Sequence, residues 1–360
     1  MKITHIVEAS ATGTLAMTTL LANAQVRQGV SVDVIYSRRE ETPVNIEGQF
    51  DPSIKLIQIQ MCYAVEKFKS IGLIREELRR TAPDVVFMHS SFAGFLGRLA
   101  GLLILPNTRF FYIPHCISFM REDVNRLKKL FFIGFEWIGA LKQSTYLACS
   151  RSEQILISAC IPFRECVLVE NAVEDLPAPN NPSDGVLLAG TASIVTVGQI
   201  RLQKGPIEFA NIALQIKRKM PNLIFRWVGD GEDDARQALV DAGIEVTGWV
   251  SKADVLDYLR SSTVYLSASR WEGMPVSLIE ANYAKLPVVA AACSGNVDVV
   301  RHGETGWLFH SESEAASQVL SALADPVGTE KIIQQAYNEA QSRFGLERYV
   351  SDMNDLITNN

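Results

Sequence analysis

The sequence has no excess of basic residues. Lysine and arginine number 34 against 40 aspartates and glutamates, which gives a formal net charge of −6 at pH 7. A chain with this charge has no general attraction for a phosphate backbone, so we exclude nucleic acid as its main partner. The net charge does not exclude a basic patch that is confined to one face of the protein.

Cysteine is scarce and follows no pattern. The six cysteines include no C-x-x-C pair, and a chain of this size needs no disulfide framework. Most of them stand in apolar segments, as small core residues do, and unpaired thiols fit a reducing cytoplasm. They are Cys62, Cys116, Cys149, Cys160, Cys166 and Cys293.

Long hydrophobic runs are also missing. The most apolar stretch, residues 92–113, is broken by two arginines, a proline and an asparagine, and is too interrupted to span a bilayer. Residues 1–8 predict a first buried strand and lack the apolar region of a signal peptide. We therefore expect a cytoplasmic protein, and peripheral contact with the inner membrane face stays open.

The sequence does contain a regular alternation of short apolar runs and amphipathic segments. With 360 residues, 48% of them hydrophobic and 21% charged, the chain is long enough for two ordinary domains. The alternation is typical of parallel α/β sheets, in which ligands bind beyond the carboxyl ends of the strands. In the first half it predicts strands at 3–7, 32–36, 56–59, 85–88, 110–113 and 145–148, and helices at 15–28, 65–81, 92–103 and 126–141.

A second series of the same kind follows a stretch rich in proline, asparagine and glycine. Its first strands are predicted at 193–197, 223–228 and 264–266. We place the linker at 177–185, between a first domain at 1–176 and a second at 186–342. The last segment, 343–360, predicts an amphipathic helix.

Residues 269–281 predict a loop that becomes a helix after a buried strand. Gly273 permits close backbone approach, and Pro275 suits the first helical position, where a missing N–H costs nothing. Amides at the helix start point towards any nearby anion. Glu272 lies in the loop and Glu280 just over one turn into the helix, so two carboxylates bracket a site that could hold a phosphate-bearing sugar. An ordinary capped helix with two solvated acids is the alternative.

A second group of distinctive residues follows the strand at 193–197. Gly198 comes directly after this strand, and Arg201 and Lys204 follow closely. Arginine offers a planar fork for phosphate oxygens and lysine a flexible point charge. A basic pair at a helix N-terminus opposes the helix dipole, so its presence indicates a bound anion. A solvated basic helix start is the alternative.

These two groups resemble the motifs of the retaining family-four glycosyltransferases. Glu272 and Glu280 match the E-x7-E signature, and residues 198–205 match the basic motif, with Gln199 where arginine is commoner. The resemblance covers nearly the whole chain. It implies the GT-B fold, an α/β architecture of two Rossmann-like doubly wound domains facing a cleft, with the helix at 343–360 crossing back to the first domain. Residues 303–309 resemble a structural hairpin of the family.

Two segments of the first half resemble the members of this family that build bacterial surface polysaccharides such as exopolysaccharide, O-antigen and capsule. Residues 89–98 match their H-S-S-x-A-G-x-x-G-R segment. Residues 114–119 match P-H-G-x-S-F, with Cys116 in place of the glycine.

The resemblance implies a role for each candidate in the second domain. Arg201 and Lys204 would bind the diphosphate, Glu280 would hold the ribose, and Glu272 would hold the sugar. The segment holding Trp249 would flank the nucleobase, although Trp249 in the core is the alternative. The full donor-binding set is Gly198, Trp249, Val250, Gly273, Met274, Pro275 and Glu280, and the catalytic set is His115, Arg201, Lys204 and Glu272.

The first domain supplies His115, which the resemblance places near the donor sugar to position its hydroxyls. A satisfied, half-buried histidine is the alternative reading of this residue. The acceptor-side candidates are Gly13, Thr14, His89 and Ser90. Around Gly13 the family's glycine-rich loop is reduced to one glycine, and a plain helix cap by Ser10 or Thr12 is the alternative. Helix packing through Gly94 and Gly97 is the alternative for residues 89–98.

Residues 126–141 combine a basic start with an aromatic continuation. Such a helix can lie on an anionic membrane surface. A core helix with a solvated basic end is the commoner arrangement, and it is the one that we predict.

The predicted function is transfer of a hexose from a nucleotide diphosphate sugar to an acceptor hydroxyl. The resemblance implies retention of configuration, a UDP-sugar rather than GDP-mannose as donor, and a lipid-linked saccharide as acceptor. No cofactor is expected, and because no D-x-D pair follows a strand, we expect cationic side chains to replace a metal. The alternatives are a nucleotide-sugar epimerase and a non-catalytic protein that binds nucleotide sugars.

Overall fold

The computed structural model describes residues 1–62, 64–174 and 192–358. The chain divides into two compact units, Met1–Asn171 with Glu347–Asn360, and Ala172–Leu346. The predicted linker at 177–185 and the predicted domain limits at 176 and 186 lie outside the described residues.

The first unit is built on a parallel seven-stranded sheet with the order β3-β2-β1-β4-β5-β6-β7. Neighbouring strands reverse their sequence order between β1 and β4, which makes their carboxyl ends the place where ligands bind in such sheets. The strands are β1 (Lys2–Val7), β2 (Ser31–Tyr36), β3 (Lys55–Gln58), β4 (Val85–His89), β5 (Arg109–Ile113), β6 (Thr145–Ala148) and β7 (Cys166–Leu168). The helices are α1 (Thr12–Arg27), α2 (Ala64–Thr81), α3 (Ser91–Gly101), α4 (Arg126–Gly139), α5 (Arg151–Cys160) and the C-terminal helix (Leu346–Thr358).

The second unit is built on a parallel six-stranded sheet with the order β10-β9-β8-β11-β12-β13. Its switch point lies between β8 and β11. The strands are β8 (Ser193–Val197), β9 (Ile224–Val228), β10 (Glu245–Val246), β11 (Val264–Ser267), β12 (Val288–Ala291) and β13 (Trp307–Phe309). The helices are α6 (Pro206–Lys217), α7 (Asp233–Asp241), α8 (Lys252–Arg260), α9 (Val276–Tyr283), α10 (Asn296–Val299), α11 (Glu312–Ala324) and α12 (Pro326–Arg343).

The two sheets confirm the predicted α/β architecture, and the predicted strands match to within two residues. Central strands of parallel sheets are buried on both faces, so their sequences are continuous apolar runs that are easy to recognise. The short edge strand β7 was not predicted because it is only half-buried. The hairpin predicted at 303–309 is wrong, because β13 pairs in parallel with β12, with Val289 opposite Trp307.

The helix α3 packs closely on the first sheet through its glycines, as the packing interpretation of residues 89–98 predicted. A side chain at Gly94 would collide with the ring of Tyr112, and one at Gly97 would meet Met88. Close packing also buries Arg98 completely, and its guanidinium pairs with Glu136 at 2.7 Å.

The prediction that residues 126–141 form a core helix is wrong. In α4 only Glu136 and Gly139 are fully buried, Phe132 and Ile133 pack partly buried against the core, and most of the other apolar side chains are exposed. The exposed fractions of Phe131 and Trp137 are 62% and 52%. The pattern misled because this helix is apolar on nearly every side, so periodicity does not tell which face is covered.

Candidate functional site

The carboxyl ends of β8 and β11 bring together the basic pair and one of the two glutamates. After β8 the chain makes one short 3-10 turn, Leu202–Lys204, which directs Lys204 towards the loop after β11. There its Nζ lies 2.7 Å from Oε1 of Glu272. The Lys204 stem passes over Gly198, where a Cβ atom would lie 3.0 Å from Cε of Lys204. The absence of a side chain at Gly198 therefore lets the ion pair form.

Charge balance keeps Lys204 protonated. Burial alone would lower the pKa of Lys204, but the adjacent Glu272 carboxylate raises it above the ordinary value. The lysine therefore keeps its N–H donors at the strand end throughout the physiological pH range, while its charge is balanced by the Glu272 carboxylate.

Arg201 is different because nothing neutralises it. Its side chain makes no hydrogen bond or ion pair with any other described residue, and its Nε is buried. A buried guanidinium N–H without an acceptor is unfavourable, and an anion placed beside it would relieve that cost. Arg201 and Lys204 also repel each other, since Arg201 lowers the pKa of Lys204. The arrangement suits a ligand with several negative oxygens.

Glu272 is fixed by several neighbours. Its carboxylate accepts hydrogen bonds from Ser269 Oγ at 2.9 Å and from Gln203 Nε2 at 3.3 Å. Gly295, with φ at +82°, lies against its backbone, and a Cβ atom there would stand 2.7 Å from the Glu272 carbonyl oxygen. The loop from 271 to 275 is consequently buried and held in one position.

The helix α9 begins one residue later than predicted. Pro275 is its N-cap in an extended conformation rather than its first helical residue, and no side chain caps the first turn. Other helices of this unit have such caps, for example Ser251 at α8 and Ser311 at α11. The dipole at the start of α9 is therefore available to an external acceptor, beside the buried Gly273 and Met274.

Glu280 lies inside α9, half-buried and without a hydrogen-bond donor among the described residues. Burial raises the pKa of its carboxyl to about 7, and Lys252 lowers it by less. Burial thus favours the neutral form of this carboxyl. The ionised carboxylate gains from any hydroxyl that donates to it.

The strand ends around Gly198 are packed backbone to backbone. Gly229, with φ at +142°, lies so close to the Gly198 carbonyl that no side chain fits there. The next loop joins this edge, because Gly229 forms a β-bridge with Gly248. Trp249 follows and is 54% exposed, so the core interpretation of this residue is wrong. Val250 beside it is half-buried.

In the first unit, Gly13 and Thr14 lie in the first turn of α1. The N-cap is Ala11, which makes no side-chain cap hydrogen bond, so the predicted cap by Ser10 is wrong. The predicted cap by Thr12 concerns a side chain outside the described ones. Ser10 instead bonds to the Ser37 carbonyl and to Thr42. Nothing lies within 4 Å of a Cβ atom built on Gly13. The space above this turn is open.

The structure brings His89 and His115 together at the ends of β4 and β5. Nδ1 of His89 lies 3.1 Å from Nε2 of His115, and the rings stack with their centroids 5.4 Å apart. His89 is fully buried and His115 half-buried. Burial lowers the pKa of His115 to about 4, so its ring is neutral at physiological pH. Ser90 follows with φ at +78° and a buried hydroxyl that has no partner.

His115 occupies a strained backbone conformation. Its φ is +55° and that of Cys116 is +98°, values that favour glycine and cost about 1–3 kcal/mol at other residues. The turn is held by the buried carboxylate of Glu153, which accepts from the amides of Cys116 and Ile117 at 2.9 and 2.7 Å. Cys149 donates to its other oxygen. Strain held by buried groups is typical of functional positions.

Several residues of this region were missed. His5 in β1 and Gln25 in α1 extend the histidine pair into the core, Glu153 supports the His115 turn, and Glu8 is buried against Arg39. Histidine and glutamate at the ends of apolar runs were a visible signal. The contacts between them depend on strand register, which the sequence does not display.

Within the residues that the structure describes, no three side chains of histidine, cysteine, aspartate or glutamate are grouped to hold a metal ion. In the same residues, no helix has the length and apolar character required to cross a membrane. The six cysteines form no disulfide among the described residues.

Two family models match the chain. Residues 12–175 match the model of glycosyltransferase family 4, and residues 183–339 match that of the glycosyl transferases group 1. The two matches do not overlap, and they contain nearly all of the residues discussed above.

Curated relatives agree with these models. An Escherichia coli protein named UDP-Gal:alpha-D-GlcNAc-diphosphoundecaprenol alpha-1,3-galactosyltransferase is 26% identical over 317 residues, which are 81% of this chain and 79% of that protein. An uncharacterised 41.2 kDa protein from the cps region of Klebsiella pneumoniae is 29% identical over 250 residues, 67% of this chain and 69% of that protein.

A solved structure has the same fold. The Anabaena protein HepE in complex with UDP and glucose superposes with a TM-score of 0.81 over 100% of both chains, at 16% sequence identity. The two matching models, the two parallel sheets and this superposition agree, and the chain belongs to the family-four glycosyltransferases of the GT-B fold.

Proposed function

We propose that this glycosyltransferase transfers a hexose from a UDP-sugar to a hydroxyl of a lipid-linked saccharide in surface polysaccharide synthesis. The observation that carries the proposal is the unpaired Arg201 beside the Lys204–Glu272 pair at the switch point of the second sheet. The uncompensated charge of Arg201, the N–H donors of Lys204 and an uncapped helix start suit a diphosphate that becomes a leaving group.

Donor binding follows from the chemistry of each residue. The diphosphate oxygens would accept from Arg201 and Lys204, and the ribose hydroxyls would donate to Glu280. Trp249 is exposed at the neighbouring strand edge and offers an aromatic face for the base. Support for a uridine nucleotide comes from the relatives, since the Escherichia coli protein is named for UDP-Gal and the HepE structure contains UDP.

The reaction would proceed with retention and without a covalent enzyme intermediate. As the bond from the anomeric carbon to the phosphate oxygen breaks, the acceptor oxygen forms its bond to that carbon from the same face. The acceptor's proton passes to the departing phosphate oxygen. Arg201 and Lys204 stabilise the charge that develops on the diphosphate, which is the role that a metal ion plays in other transferases.

The lipid-linked acceptor is supported by the outer face of α4. Phe131, Leu130 and Trp137 are more than half exposed, and at the start of the same helix Arg126 and Lys128 are exposed and Lys129 is half-buried. Apolar and aromatic side chains next to exposed cations bind the surface of an anionic bilayer. This contact would place the enzyme at the inner membrane face, where a lipid-linked saccharide is presented.

The test compares nucleotide binding and transfer in the wild type and in Arg201→Ala. Thermal unfolding is measured with UDP-sugars and GDP-sugars, because a ligand that binds only the folded state raises Tm. We expect stabilisation by a UDP-sugar and a fall in kcat of about 100-fold in the variant. Arg218→Ala, which removes one exposed charge of the second unit, is the matched control. Equal turnover of Arg201→Ala and wild type would contradict the diphosphate assignment.

Product analysis separates the remaining functions. An epimerase would convert the nucleotide sugar without any acceptor, and a binding protein would be stabilised by it without turnover of any acceptor. Either result would replace the proposed transfer.

A further inference from the structure

A row of buried polar side chains crosses the first sheet from α1 to the end of β5. Its members are Gln25, His5, His89 and His115. In the parallel register Val7 lies opposite His89, and His89 lies opposite Ile113. Each histidine therefore stands two residues further along its strand than the one before it. Because side chains two residues apart share a face of the sheet, the three rings stack diagonally on one side.

Hydrogen bonds join the row from end to end. Nε2 of His5 lies 2.7 Å from Oε1 of Gln25, and Nδ1 of His5 lies 2.9 Å from Nε2 of His89. The last link joins Nδ1 of His89 to Nε2 of His115. His5, His89 and Gln25 are at most 1% exposed, so no water competes for these bonds. Only the outer end, at His115, is half-buried.

All three rings are neutral. Burial lowers the pKa of His5 to about 4, and it lowers the pKa of His89 well below its ordinary value. The pKa of His115 falls in the same way. A neutral imidazole has one N–H donor and one bare nitrogen that accepts. The direction of each hydrogen bond in the row therefore determines the direction of the next one.

The Gln25 amide decides the direction. Its Oε1 accepts only, so His5 must carry its proton on Nε2 and must accept at Nδ1. His89 then donates from Nε2 and accepts at Nδ1, and His115 donates from Nε2. The Gln25 Nε2 is buried without a hydrogen-bond partner, so the contact of Oε1 with His5 is the hydrogen bond that this side chain makes among the described residues.

We propose that Gln25 and His5 are positioning residues that fix the tautomer of His115, so that its Nδ1 is presented as a bare hydrogen-bond acceptor. This inference rests on the proposed function, a reaction of saccharide substrates, and it takes His115 at the strand ends of the first unit as a group that accepts a hydrogen bond from a substrate hydroxyl. A bare nitrogen accepts from a hydroxyl and repels the oxygens of a carboxylate or phosphate. The row therefore selects a neutral sugar hydroxyl at this position.

The strained turn at His115 supports this assignment. Glu153 fixes the backbone of Cys116 and Ile117, while His89 fixes the ring through Nε2. Backbone and ring are thus both held, and the remaining ring nitrogen has no partner among the described residues. A purely structural histidine would use both of its nitrogens within the fold.

The experiment reads the tautomers directly by long-range proton–nitrogen NMR on protein labelled at histidine. The chain has only five histidines, so His5, His89 and His115 are assigned by single substitutions. We expect all three rings to carry the proton on Nε2 at neutral pH. Protons on Nδ1, or a charged ring in the row, would overturn the proposal.

Gln25→Glu tests the control of direction. A buried carboxylate at this position favours a charged His5 that donates from both nitrogens, which forces His89 and His115 to carry their protons on Nδ1. The matched control is Gln28→Glu, the same change at an exposed position just after α1. A His115 tautomer that does not change in Gln25→Glu would overturn the proposal. If that variant fails to fold, Gln25→Met removes the acceptor at similar volume, and the same reversal is expected.

Kinetics separates this inference from the proposed function. In Gln25→Glu we expect kcat/KM for transfer to fall about tenfold or more, while the stabilisation by nucleotide in the second unit stays unchanged. If the wild type transfers no sugar, the proposed function fails, and the NMR result still decides the tautomers. If transfer is normal and the tautomers differ from those expected, only the present inference fails.

Discussion

At the scale of single residues, the ionised carboxylate of Glu280 lowers the stability of the folded protein, although the proposed function requires it to bind the ribose. Its pKa is raised from 4.5 to about 7, so the folded state loses stability relative to the unfolded chain as pH rises through this interval. Glu280→Gln removes the charge that burial opposes. We expect the free energy of unfolding of this variant to exceed that of the wild type by roughly 1–3 kcal/mol above neutral pH, and to equal it in acid.

In the proposed function Glu280 binds the ribose, so Glu280→Gln is expected to be more stable and less stabilised by UDP. Denaturant unfolding at several pH values measures the first effect, and thermal unfolding with UDP measures the second. Glu330→Gln, at an exposed position of α12, is the matched control. If the variant is no more stable than the wild type at alkaline pH, ionisation of the Glu280 carboxyl does not destabilise the folded state, and the prediction is wrong.

A second residue-scale prediction concerns Cys116. Its φ of +98° favours glycine. Cys116→Gly should raise the free energy of unfolding by about 1 kcal/mol, because the relief of strain exceeds the added entropy of the unfolded chain. Cys116→Ala removes the sulfur but keeps a Cβ atom in the strained backbone. It therefore separates the effect of losing the thiol from the effect of relieving the strain. Equal stability of the alanine and glycine variants would contradict the strain.

At the scale of elements, α4 carries a prediction about membranes. Replacement of Leu130 and Phe131 by serine removes exposed apolar surface without disturbing the core. We expect binding to vesicles of anionic lipid to weaken by about tenfold or more, and the stability in solution to stay the same. Val327→Ser, at a 74% exposed position in the second unit, is the control. Vesicle binding that survives the double change would exclude this helix as the contact.

The elements also show what the sequence could and could not predict. The buried strands and the Arg201, Lys204 and Glu272 group were predictable, because apolar runs and local motifs are continuous in sequence. The row from Gln25 to His115 was not, because it depends on the register of three strands that are far apart in the chain. The exposed face of α4 was not predictable either, since its sequence is apolar on nearly every side.

At the scale of the whole molecule, the C-terminal helix belongs to the first unit. Arg109 donates to the carbonyls of Leu356 and Ile357, and Arg348 donates to those of Glu170 and Asn171. Tyr349 is fully buried. Truncation before Leu346 should therefore destabilise the first unit by several kcal/mol and leave UDP binding by the second unit intact.

Tryptophan fluorescence distinguishes the two units in this test. In a Trp137→Phe background, every remaining tryptophan lies in the second unit, namely Trp227, Trp249, Trp271 and Trp307. Tryptophan fluorescence then reports the unfolding of the second unit alone. Circular dichroism reports the loss of helix in both units. We expect the fluorescence transition to stay in place after truncation and an earlier transition to appear by circular dichroism. Loss of both together would mean that the second unit also requires the helix.

Because this helix follows the second unit in the chain, the first unit begins to be synthesised before the second but is completed after it. Residues 1–171 leave the ribosome first, but the unit that they form is finished only when residues 347–358 have emerged. Domains usually fold as units during synthesis, starting from the N-terminus. In this chain the second, contiguous unit can reach its native structure first. The N-terminal sheet keeps apolar surface exposed, and accessible to chaperones, until residues 347–358 have been synthesised.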